Sequence, residues 1–252
     1  MTPSHPTVLF TSLAIMLGVG AWALNPLEAQ LVSYADEFSF LSIPNGKNVL
    51  SGILFMFVGV YGLTRRPRFD LGRDVLVSMA LACISLMAMG GAISWYHFAP
   101  TLLTRLIAHL VMSLAIMNTA FALVSAQLPL KGHWWLLISC QAVAVATPMY
   151  EYWYSDKRYL LMSEVFLVLL VLFSLIRVRS VHYSRYLSRS LIALCLSPLC
   201  DYWDQSISKA SSYLISGHTL QHLLWSLSAL LLLRFLIVIK PSELNAPLTV
   251  TS

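Results

Sequence analysis

Charge is what this sequence has least of: Asp, Glu, Lys and Arg make up 11% of 252 residues, while 58% are apolar. That leaves too little polar surface to clothe a water-soluble domain, and the mean hydropathy is +0.74. Cysteine is scarce too. Cys83, Cys140, Cys195 and Cys200 all fall in apolar runs with no CxxC pair, which argues against a thiolate metal site and leaves them as buried small apolar residues. No basic patch interleaved with aromatics lies outside the loops of one sign, so the net charge of +5 does not point to nucleic acid. Low-complexity tracts and internal repeats are missing, and so is the alternating pattern of a β-barrel. Those absences leave an all-α, polytopic membrane helix bundle, because backbone at membrane depth must satisfy its own hydrogen bonds.

What is present fits that class. Eight runs are long and apolar enough to span a bilayer: Val8–Leu24, Asn48–Leu63, Val75–Tyr96, Leu102–Gln127, Trp134–Met149, Tyr159–Ile176, Leu187–Tyr202 and Ser212–Ile239. The first could be a signal peptide, since Ala21-Trp22-Ala23 has the small-x-small form. Met1–Thr7 lacks the Lys and Arg that such a leader needs, so the run is read as a span. With the amino terminus inside, Arg65, Arg66, Arg68, Arg73, Lys131, Arg177, Arg179, Arg185, Arg189, Arg234 and Lys240 fall on one side. Glu28, Asp36, Glu37, Glu151, Asp156, Asp201 and Asp204 fall in or beside the loops of the other. The positive-inside rule then puts both termini in the cytoplasm. The polar tail, residues 241–252, is read as disordered. Trp95, Tyr96, Trp134, Trp135, Tyr150, Tyr152, Trp153, Tyr154, Tyr202 and Trp203 gather at span ends as an interfacial belt.

Histidine carries the functional signal. His5, His133 and His182 lie in the tail and the cytoplasmic loops, whereas His97 ends the third span and His109, His218 and His222 lie within later ones, all toward the outer face. In the stretch SGHTLQHLLW, Ser216–Trp225, His218 and His222 stand four apart, so their rings project from one helix face as two metal-bound imidazoles must. The pair alone reads equally well as interhelical hydrogen-bonding residues. A third imidazole at the same depth favours metal, since three histidines with an open fourth position make a catalytic zinc site whose bound water is acidified to a pKa of about 7. A bis-histidine haem would use one histidine from each of two facing helices and leave the remaining imidazoles unexplained.

The stretch GAISWYHFAP, Gly91–Pro100, together with SGHTLQHLLW resembles the histidine motifs of the alkaline ceramidase family, within the CREST superfamily of seven-helix membrane hydrolases. The segment IPNGKNVLSGILFMFVGVYGL, Ile43–Leu63, is similar to the opening of the first core helix in bacterial members, so the likeness runs from about Asp36 to Phe235. It implies a seven-helix ceramidase-like core over residues 31–240, with residues 1–30 an added transmembrane helix. It implies a Zn2+ ion on His97, His218 and His222, and hydrolysis of the amide bond of a ceramide-like membrane lipid. The expected location is a bacterial inner membrane, with the metal toward its outer face.

The sequence departs from the family where catalysis is concerned. The family carries a serine four residues before the first zinc histidine and an aspartate eleven after it. Here those positions are Ile93 and Ala108, with Ser94 and His109 one residue further on and about 100 degrees around the helix. Ser94, His109 and Glu164 are therefore the expected catalytic helpers. Glu164, two turns into its span, suits a general acid or base and equally an interhelical contact. His109 could instead be a fourth ligand, closing the coordination sphere. Asp201 and Asp204 could orient zinc-bound imidazoles, but are read first as solvated loop charges. Asp36 and Glu37 stand where some ceramidases bind calcium, without regular ligand spacing. The competing reading is a non-catalytic relative, a metal-stabilised lipid-binding or receptor-like protein.

Overall fold

The computed structural model describes residues 39–40, 42–65, 67–127, 134–178 and 180–240. The expected first span Val8–Leu24, the acids Asp36 and Glu37, His5, His133 and the 241–252 tail lie outside the described residues. Within them the chain forms eight helices: α1 Gly46–Thr64, α2 Arg73–Phe98, α3 Leu102–Gln127, α4 Trp134–Tyr154, α5 Arg158–Arg177, α6 Val181–Tyr202, α7 Asp204–Ala210 and α8 Gly217–Val238. Five of them, α1, α2, α3, α5 and α8, are long and apolar enough to cross a membrane. The chain is an all-helical integral membrane protein, with no strand among the described residues.

Helix ends differ from the sequence expectation where local polar chemistry overrides hydropathy. The last span begins at Gly217 rather than Ser212, because Ser216 caps it by accepting the backbone N–H of Thr219 at 3.0 Å. The residues before it are used otherwise. Ser212 and Tyr213 take positive φ of 53° and 63°, which ends the short helix α7 and turns the chain back. α6 starts at Val181 instead of Leu187, since its first two turns carry Arg185, Arg189, Ser184 and Ser188, which hydropathy alone reads as loop. α4 runs on through Pro148 to Tyr154.

In lipid, helices gain little from burying apolar side chains against one another, so close packing and interhelical hydrogen bonds must hold the bundle. Both are visible. α1 lies against α2 through Gly52 and Gly90, where a Cβ on Gly90 would come 2.8 Å from the carbonyl oxygen of Gly52. α3 is the most enclosed of the five apolar helices, and along its length Ser113 meets Thr147, Asn118 joins Ser85 and Gln141, and Gln127 donates to Ser174. Ser190 and Ser228 link α6 to α8 at 2.7 Å. The most extensive helix contacts are α1 on α2, α2 on α3, and α6 on α8. That arrangement gathers the end of α2, the start of α3 and the start of α8 at one end of the bundle.

Candidate metal centre

A three-residue corner sets the first histidine. Thr101 and Thr104 bond each other's backbone N–H groups, and the Thr104 hydroxyl donates to the carbonyl of Ala99. The chain therefore turns directly from α2 into α3. His97 stands at the end of α2, its carbonyl accepting from the side chain of Asn45, which takes the left-handed φ of 48° that asparagine tolerates. His218 and His222 occupy the first two turns of α8, one above the other. α7 supports them: Asp204 accepts the backbone N–H of His218 at 2.8 Å, and Gly217 packs so closely on the Cys200 carbonyl that no side chain would fit.

The three imidazoles converge. One ring nitrogen from each lies within 4.8 Å of the others, and all three residues are buried, at 3%, 7% and 7% exposure for His97, His218 and His222. His97 Nε2 and His218 Nε2 are 3.3 Å apart. Two nitrogens bonded to one zinc at 2.0–2.1 Å in tetrahedral geometry would be separated by about 3.3 Å. The other face of each α8 ring is tied down. His218 Nδ1 lies 2.7 Å from Asp201 Oδ1, and His222 Nδ1 lies 2.7 Å from Ser51 Oγ. Since the Ser51 hydroxyl donates to the Asn48 carbonyl, its oxygen is left to accept from His222. Both rings then carry hydrogen at Nδ1 and turn an Nε2 lone pair inward, as outer partners of metal-bound histidines arrange. The three residues could hold a metal ion, and nothing in their geometry selects which one.

A cavity of about 200 Å³ opens beside the imidazoles. Ile93 and Ala108 both line it, so the positions where the resemblance expects serine and aspartate do face the site, as apolar wall. The continuous helices leave no register shift to change that. Ser94 points elsewhere: its hydroxyl donates to the Val49 carbonyl at 2.8 Å on α1. His109 lines the cavity but is not one of the clustered ligands, its Nδ1 lying 2.6 Å from Glu151 Oε2. Glu164 also lines it, with no hydrogen bond or ion pair among the described residues.

Several charged groups that sequence reasoning left out of the site belong to it. Arg105 and Glu151 are buried in α3 and α4 and face each other, Arg105 Nε being 3.7 Å from Glu151 Oε1. Asp201 and Asp204 are not merely solvated: both carboxylates are bonded to His218, one to its ring and one to its backbone. Ser51 lay in the segment Ile43–Leu63 that the resemblance picked out, but was not singled out as a site residue. Its signal was present, since it lies on the first core helix and a serine amid glycines and apolar residues marks a close, polar helix contact. Tyr96 lines the cavity, whereas Trp95, Trp134, Trp135, Tyr152, Trp153, Tyr154, Tyr202 and Trp203 are exposed, as a belt requires. No family model matches the chain, and neither does any curated protein or solved structure.

Proposed function

We propose that this protein is a zinc-dependent membrane amidohydrolase that cleaves the amide bond of ceramide-like lipids, with a seven-helix core of the alkaline ceramidase kind. The observation that carries it is the convergence of His97, His218 and His222, rings held from behind by Asp201 and Ser51, on the wall of a cavity that also holds titratable side chains. A zinc ion there would acidify a bound water and polarise a carbonyl. Proton transfer would fall to His109 and Glu164, since Ile93 and Ala108 can carry none. Phe55, Met89 and Trp225 give the cavity an apolar wall that continues toward Leu86, Ile116 and Leu194, with only about 20 Å³ of open space between them. The membrane would be a bacterial inner membrane, and the charge bias of the loops favours an orientation with the site toward its outer leaflet.

Purified protein should hydrolyse a long-chain amide in detergent, act poorly on a water-soluble amide, and lose activity on chelation. A second reading is favoured by the apolar Ile93 and Ala108: a non-catalytic, metal-stabilised lipid-binding or receptor-like protein. Bound metal without turnover of any amide or ester lipid selects it and sinks the hydrolase.

A further inference from the structure

The cavity holds a second histidine arrangement, distinct from the candidate metal ligands. His109 on α3 bonds through Nδ1 to Glu151 Oε2 on α4 at 2.6 Å. Glu151 is buried at 3% exposure, and its other oxygen faces Arg105 at 3.7 Å. The His109 side chain is 26% exposed and lines the same cavity as His97, His218 and His222. Its Nε2 has no hydrogen-bond partner among the described residues. A carboxylate on Nδ1 fixes an imidazole in the tautomer with hydrogen on that nitrogen, and leaves Nε2 as a proton acceptor. Ionisable groups inside a membrane helix bundle cost free energy to keep, and such groups are by default functional.

We propose that His109 is the group that moves the proton during hydrolysis, with Glu151 as its positioning residue and Arg105 holding Glu151 in place. The proposal rests on the hydrolase reading above. His109 Nε2 takes a proton from the water whose oxygen attacks the amide carbon. As the C–N bond breaks, the same proton passes to the leaving nitrogen. The imidazole returns to its neutral form, and amide plus water has become carboxylic acid plus amine with no other reactant. A simple clamp between α3 and α4 would use Nδ1 in the same way but would make no demand on Nε2.

The test compares purified full-length wild type with His109→Ala, His109→Gln and Glu151→Gln, with metal content measured on each. His109→Ala should lower kcat by roughly 10²- to 10⁴-fold with metal content and KM little changed, and added imidazole should restore part of it. His109→Gln, which can still bond Glu151, should fold and bind metal like wild type yet stay as slow. Nitrogen NMR of labelled histidine should find Nδ1 protonated and Nε2 bare in wild type, and mixed tautomers in Glu151→Gln. Turnover of His109→Gln within about threefold of wild type, or a protonated Nε2, overturns the proposal. If the wild type itself turns nothing over, the hydrolase reading fails first, and that outcome is distinct from an active wild type with an equally active His109→Gln.

Discussion

The two sides of the cavity are built on different logics. On the side made by the end of α2 and the start of α8, each α8 imidazole is held at its outer nitrogen by an oxygen, and one ring nitrogen from each of the three histidines lies within 4.8 Å of the others. On the α3 and α4 side, an apolar surface at Ala108 adjoins an Arg105–Glu151–His109 chain, buried at Arg105 and Glu151 and partly exposed at His109. The first side gathers three imidazoles; the second pairs one imidazole with a carboxylate. The proposed tasks of holding an ion and handling a proton thus fall on separate helices, and a substitution on the α3 and α4 side should leave metal binding standing.

The largest effect should come from the ligand side. His218→Ala removes one of only three imidazoles, so metal measured on the purified protein should fall to background, and lipid hydrolysis should go with it. Metal retained at wild-type level would break the comparison outright. Next is the support behind the ring: Asp201→Asn leaves His218 in place but weakens its orientation, and should cost about 10- to 100-fold in metal affinity, read by competition with a chelator of known strength. Gly90→Ala attacks the same side from a distance. Its Cβ would press 2.8 Å from the Gly52 carbonyl, one residue from Ser51, and so push the partner of His222 away. Weakened metal binding and lower thermal stability in detergent are expected together.

The ligand side was also the side legible in sequence. Spacing of four puts His218 and His222 on one face whatever the tertiary structure, and an imidazole in an apolar run is rare enough to stand out. His97 needed only to lie at the same depth. The second side was hidden for a physical reason: Arg105 and Glu151 sit within a turn of their helix ends, where a charge reads as interfacial, and only packing reveals that both are buried. The same blindness made Asp201 and Asp204 look like surface charges. Helix boundaries followed a similar rule. α3 was legible to the residue because its polar residues are scattered through a long apolar run, whereas α6 and α8 were set by Arg- and Ser-bearing turns and by the Ser216 cap.

A smaller effect should separate fold from function. Asn118, on α3, donates to Ser85 and accepts from Gln141, three helices joined well away from the rings. Asn118→Ala should lower unfolding free energy by roughly 0.6–1.7 kcal/mol, the range for interhelical hydrogen bonds in a bilayer, with metal content unchanged. Loss of metal in that variant would mean that the two sides and the interior form one cooperative unit.

The smallest effect is the most pointed, because it sets two serines against each other. Ser51 on α1 reaches across to His222, while Ser94 on α2 reaches back across the same helix pair to the Val49 carbonyl and takes no part in the cavity wall. By sequence, Ser94 is the nearer stand-in for the missing serine; by geometry, Ser51 is the one that touches a ring. Ser94→Ala should therefore leave metal affinity and turnover near wild type and cost only the about 1 kcal/mol of one lost hydrogen bond, whereas Ser51→Ala should weaken metal binding measurably. The reverse order, with Ser94→Ala the more damaging to turnover, would require α2 to rotate by a residue when substrate binds, bringing Ser94 to the place that Ile93 now holds.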